Sequence, residues 1–78
     1  MLGKSLKLVV TFPTPMDAIN FEEICEKYHI PGKLMPVPIQ LTNDCGIGWV
    51  AKVEDKAIIR DFIDKHHIEI KLFTETVF

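Results

Sequence analysis

Apolar residues recur along this chain with two different periods, and the order in which those periods alternate leaves few folds open. Leu6 to Phe12 (LKLVVTF) sets Leu6, Leu8, Val10 and Phe12 on one side at a spacing of two, the mark of a half-buried strand. From Pro15 to Tyr28 the apolar positions Ala18, Phe21, Cys25 and Tyr28, with Ile24 beside them, fall at helical spacing. Lys33 to Val37 is a short extended run carrying Pro36, which lacks an amide hydrogen and therefore belongs at a sheet edge. Pro38 to Asp44 reads as a loop. Gly46 to Val53 alternates again, with Ile47, Trp49, Ala51 and Val53 on one face. Glu54 and Asp55 then open a second helix with the stripe Ile58, Ile59, Phe62 and Ile63, ending near His66. Ile68 to Thr74 alternates as a last strand, and residues 75–78 carry no clear signal.

The order β-α-β-β-α-β predicts an α+β, ferredoxin-like sandwich: a four-stranded antiparallel sheet with two helices on one face. The first helix has the clearest start. Thr14 can cap it, Pro15 suits its first position, and Asp17 stands where a capping-box acid belongs. The second sheet face would carry Lys7, Val9, Thr11, Gly48, Val50 and Lys52. That mixed surface reads either as a solvated face or as a seat for a second copy in a homodimer.

With 78 residues the chain is expected to form one domain spanning residues 1–78, with a small core. Nine basic and eleven acidic residues give a net charge of −2, and Arg60 is the one arginine, so nucleic acid is not an expected partner. No apolar run is long enough for a membrane span, and the start lacks a secretion signal, so a cytoplasmic location is expected. Two cysteines in such a chain read as free thiols. They make no zinc site alone, and no metal or cofactor is expected.

The proposed topology sets the start of the third strand beside the end of the first and the start of the first helix. Cys45 should therefore lie near Phe12, Pro13 and Thr14, by the positive end of that helix, where a thiolate is favoured. Gly46 would let another molecule approach the sulfur. Asp44 acts in the opposite sense, because an adjacent carboxylate raises a thiol pKa. Cys25, on the apolar helical stripe, reads as a small buried hydrophobe. The second helix is expected to end at the same edge as Cys45, which would put His66 or His67 within reach of it.

The stretch Val10-Thr11-Phe12-Pro13-Thr14 with Asp17-Ala18, then Ile30-Pro31-Gly32, Met35-Pro36-Val37-Pro38 and Cys45-Gly46, resembles the small bacterial domains of the selenium/sulfur carrier protein-like family. The resemblance runs from about Lys7 to Thr74. It implies that Cys45 is the family's characteristic cysteine. It also implies a carrier rather than an enzyme, relaying sulfur or selenium as a persulfide or selenosulfide between a cysteine desulfurase-type donor and an acceptor protein. Around the sulfur, Gly46, Thr14, Pro13, Thr42 and Asn43 are the expected binding residues. The sequence departs from the family just before the cysteine, where Asn43 and Asp44 replace the usual small hydroxyl residues and Thr42 would stand in. The competing expectation is a non-catalytic interaction or regulatory module that works through the exposed sheet face.

Overall fold

The computed structural model describes residues 4–42 and 46–77, apart from the side chains of Ile39 and Thr42. Its elements are β1 (Leu6–Thr11), α1 (Pro15–Tyr28), β2 (Lys33–Pro36), a short α2 (Ile39–Thr42), β3 (Ile47–Lys52), a single 3-10 turn (Val53–Asp55), α3 (Lys56–Lys65) and β4 (Leu72–Val77). The strands form one antiparallel sheet in the order β2-β3-β1-β4. This is the ferredoxin-like arrangement, and the proline-bearing strand lies at an edge.

α1 and α3 cover one face of the sheet. Leu8, Val10, Trp49 and Ala51 from the strands meet Ala18, Phe21 and Cys25 of α1 and Ile59, Phe62 and Ile63 of α3. Phe21 is the hub of this core. Its ring lies 5.0 Å from Phe12, 5.4 Å from Trp49 and 6.2 Å from Phe62. Ile58, placed by its spacing on the α3 stripe, is instead exposed.

Both long helices end in the same way. His29 (φ 57°) and His67 (φ 53°) take the left-handed conformation that stops each helix. The next residue, Ile30 or Ile68, donates its N–H back to the carbonyl of Cys25 or Ile63 and packs its side chain on the core. This is the Schellman closure, in which the residue after the left-handed one plugs the apolar layer.

Three departures from the sequence reading have physical causes. Part of the segment read as a loop, Ile39–Thr42, is a helical turn, and Leu41 N–H donates to the Pro38 carbonyl at 2.9 Å. β4 begins at Leu72 rather than Ile68. Ile68 and Ile70 reach the core from the connection after α3, so their alternation comes from packing without pairing. The second face of the sheet is not a plain solvated surface either. Val9, Thr11 and Val50 are buried, because Val37, Met35 and Leu41 fold back over them as a second apolar cluster.

Candidate functional site

β1 pairs with β3 with Val10 opposite Trp49. The end of β1 that leads into Pro13 and Thr14 therefore lies at the same end of the sheet as the start of β3. At that start, the Gly46 carbonyl accepts the Val37 N–H at 3.1 Å, which continues the β2–β3 ladder past Pro36 and Ile47. Gly46 has φ 75°, a conformation that favours glycine. A Cβ there would meet nothing within 4 Å among the described residues. Cys45, Asn43 and Asp44 lie outside the described residues. Thr42 closes α2 through its backbone.

The start of α1 is tightly occupied. Thr14 Oγ1 accepts the Asp17 N–H at 3.2 Å and donates to Asp17 Oδ2 at 2.9 Å. The Ala18 N–H donates to the Thr14 carbonyl at 3.3 Å, and Pro15 has no N–H to offer. Only the Met16 N–H of the first turn remains without a partner among the described residues. The Asp17 carboxylate also places negative charge on the helix's positive end. The Thr14 hydroxyl and the first-turn amides are thus committed to the cap, and little of the helix field is left for a second anion.

Thr11 was missed as a site residue by sequence reasoning. Its side chain is fully buried on the sheet's second face, and Oγ1 has no hydrogen-bond partner among the described residues. Thr11 Cγ2 and Val37 Cγ2 each lie 3.5 Å from where a Cβ on Gly48 would stand, so the hydroxyl sits under the fold-back of residues 37–41. The sequence signal was a hydroxyl within a β-branched run, inside the motif that carries the resemblance. An unpaired buried hydroxyl costs about 1–3 kcal/mol. Thr11→Val is therefore expected to raise stability by about 1 kcal/mol in urea unfolding, whereas a loss would mean that the hydroxyl is satisfied.

Cys25 is 1 % exposed, and burial pushes its thiol from 9.0 up to about 12. It stays protonated and unreactive near neutrality. The fold holds a proton that the unfolded chain releases near pH 9. Stability from this group is intact below that pH and is lost as the pH rises towards 12, by up to about 1.4 kcal/mol per pH unit. Urea midpoints compared with Cys25→Ala over pH 8–11 are expected to diverge in this sense; parallel curves would contradict it.

His66 is not brought to the end of the sheet where β1 ends and β3 starts. The His66 ring stacks on Phe62 at 4.5 Å and on Tyr28, the last residue of α1, at 5.0 Å. α1 has 14 residues, so its two ends stand about 20 Å apart. His66 packs at the end remote from Thr14 because α3 leans across the C-terminal half of α1, with Phe62 against both Phe21 and Tyr28. Among the described residues, no group of three His, Cys, Asp or Glu side chains is placed to hold a metal ion. Among the described residues, no helix is long and apolar enough to cross a membrane.

No curated protein and no solved structure matches the chain. The family model described as "Putative Se/S carrier protein-like" matches residues 7–75, from β1 into β4 and across both long helices. The chain belongs to that family.

Proposed function

We propose that the protein is a sulfur or selenium carrier that loads its cargo on Cys45 in the reducing cytoplasm. The observation that carries this reading is the family match over residues 7–75, a span that includes Cys45-Gly46. The contrast with Cys25 supports it, since burial disqualifies the other thiol.

The chemistry is thiol exchange. The Cys45 thiolate attacks the terminal sulfur of a donor protein's persulfide. The donor's S–S bond breaks, its cysteine leaves as thiolate, and Cys45 becomes the persulfide. The acceptor's nucleophile then attacks that terminal sulfur and frees the Cys45 thiolate. Sulfur moves at its original oxidation level, so the relay needs no redox partner. A selenium cargo would travel the same way, with the S–Se bond of a selenosulfide in place of S–S. Asp44 stands next in sequence and disfavours the thiolate, while the Asp17-capped helix start offers little compensation. Cys45 is thus read as a modest nucleophile whose loading depends on contact with the donor.

The test is intact-mass measurement after incubation with a cysteine desulfurase and free cysteine. Wild type and Cys25→Ala are expected to gain the mass of one sulfur atom, removable by a reducing thiol, and Cys45→Ser to gain none. Equal loading of Cys45→Ser, or no loading of wild type, would refute the assignment.

A further inference from the structure

β4 is an outer strand. β1 pairs along one side of it, and among the described residues no strand lies on the other. The opposite outer strand, β2, is guarded in the ordinary ways: it is short, Pro36 offers no amide hydrogen, and Lys33 adds a charge. β4 has none of these guards. Leu72–Val77 contains no proline, glycine or lysine, and most of it is β-branched or aromatic. Its one charged residue, Glu75, is answered within the chain, since Lys56 Nζ lies 2.6 Å from Glu75 Oε2. An open edge of this kind is a template for another strand.

The register of β4 on β1 decides which strand fits. Phe73 pairs with Val10 and Glu75 with Leu8, so Phe73 and Glu75 lie on the helix-covered face, and Leu72, Thr74 and Thr76 on the other. Two copies of β4 that meet antiparallel about a twofold axis keep their faces matched, so opposed residues must share a face. Two such registers keep the strands almost fully paired. One is centred on Glu75 and sets that residue against its own copy, like charge on like charge. The other is centred on Thr74. It sets Thr74 against Thr74, Leu72 against Thr76 and Phe73 against Glu75. The Arg60 guanidinium lies 5.0 Å from the centre of the Phe73 ring, so in this register it stands beside the second copy's Glu75. Both groups have capacity left. Lys56 takes Oε2 of Glu75 and leaves Oε1, and Arg60 uses Nη2 on Asp64 and leaves its other donors. Along this edge each copy brings Lys56, Arg60, Asp64 and Glu75, which together carry no net charge.

We propose that the chain forms a homodimer through β4, with Thr74 on the twofold axis and one continuous sheet running through both copies. The contact is self-complementary, because symmetry places a Glu75 beside an Arg60 on each side of the axis. Another extended chain would have to carry two carboxylates at that spacing. The inference goes beyond the carrier reading. β3 and Gly46 lie two strands from the axis, so dimer formation and sulfur loading are separate measurements.

Sedimentation of the full chain at rising concentration is the test, and a monomer–dimer equilibrium is expected. Thr74→Lys, which places two cations on the axis, should weaken it at least about tenfold, and so should Arg60→Glu at an exposed helix position. Far-ultraviolet circular dichroism checks that each variant folds. The register is read by disulfide formation with diamide in a Cys25→Ala, Cys45→Ser background. Thr74→Cys should cross-link the copies, because opposed Cα atoms stand about 5 Å apart. Thr76→Cys should not, since its two copies would be about 13 Å apart. Where a charge variant fails to fold, the cross-link decides. The proposal is overturned if the chain stays monomeric up to millimolar concentration, or if the folded charge variants dimerise as wild type does. It is equally overturned if Thr76→Cys cross-links as readily as Thr74→Cys.

Discussion

Gly32→Ala is expected to remove about 4 kcal/mol of stability, close to the whole reserve of a domain this small, about 5 kcal/mol. Two effects act at one position. The backbone has φ 117°, where an L side chain is strained whatever the space around it. The space is also missing: a Cβ would stand 2.4 Å from Trp49 Nε1 and 2.8 Å from the Val50 carbonyl oxygen. The indole cannot simply yield, because its N–H donates to the Pro31 carbonyl at 3.0 Å and its ring packs edge-on against Phe21. Pro31-Gly32 is thus the bend by which the chain closes over Trp49 on its way from α1 to β2. Urea unfolding followed by Trp fluorescence measures the loss directly. A variant within about 1 kcal/mol of wild type, the ordinary size of a mutational effect, would show that the bend is not tight.

Phe21→Ala is expected to cost about 3–5 kcal/mol. The ring is 1 % exposed and touches aromatic partners from three directions, the end of β1, β3 and α3. No smaller side chain can keep all three contacts, and edge-to-face pairs contribute beyond the area they bury. The vacated volume lies between two helices and a sheet that are each held elsewhere, so collapse into it is limited. Near-ultraviolet circular dichroism should lose the Trp49 signal at a temperature where wild type keeps it. Met16→Ala on the exposed side of the same helix is the control, expected to change stability by less than about 0.5 kcal/mol. Equal effects at the two positions would contradict the placement of the core.

What could be read from the sequence followed from how local the cause was. α1 was legible to the residue because its start signal, Thr14-Pro15-x-Asp17, lies within four positions and makes the bonds it announces. Trp49 and Cys25 were legible as core because strand and helix periods each point one way. β4 was misplaced because Ile68 and Ile70 mimic a strand while serving as plugs after a helix end. The burial of Thr11 and Val9 was hidden because the covering segment, with Val37, Ile39 and Leu41 set among prolines and polar residues, reads locally as a loop and gives no sign of what it packs against. For the candidate site, the topology placed Gly46, Pro13 and Thr14 at one end of the sheet. It could not reveal that Thr14 spends its hydroxyl on Asp17, or that His66 leans away onto Tyr28.

The sheet order β2-β3-β1-β4 also bears on how the chain reaches this state. β1 lies between β3 and β4, and Leu6 pairs with Val77, almost the full length of the chain away. Its one long edge therefore waits, with its amides unsatisfied, until residues 72–77 arrive. Pairing between such distant segments pays its loop-closure entropy before it gains any contact, which slows folding relative to helical proteins of equal size. During that wait the run Leu8-Val9-Val10-Thr11 is a bare, mostly β-branched edge, open to any other extended chain. The last strand is consequently the element that removes the chain's main opportunity to aggregate, and clipping it is expected to leave a sticky fold.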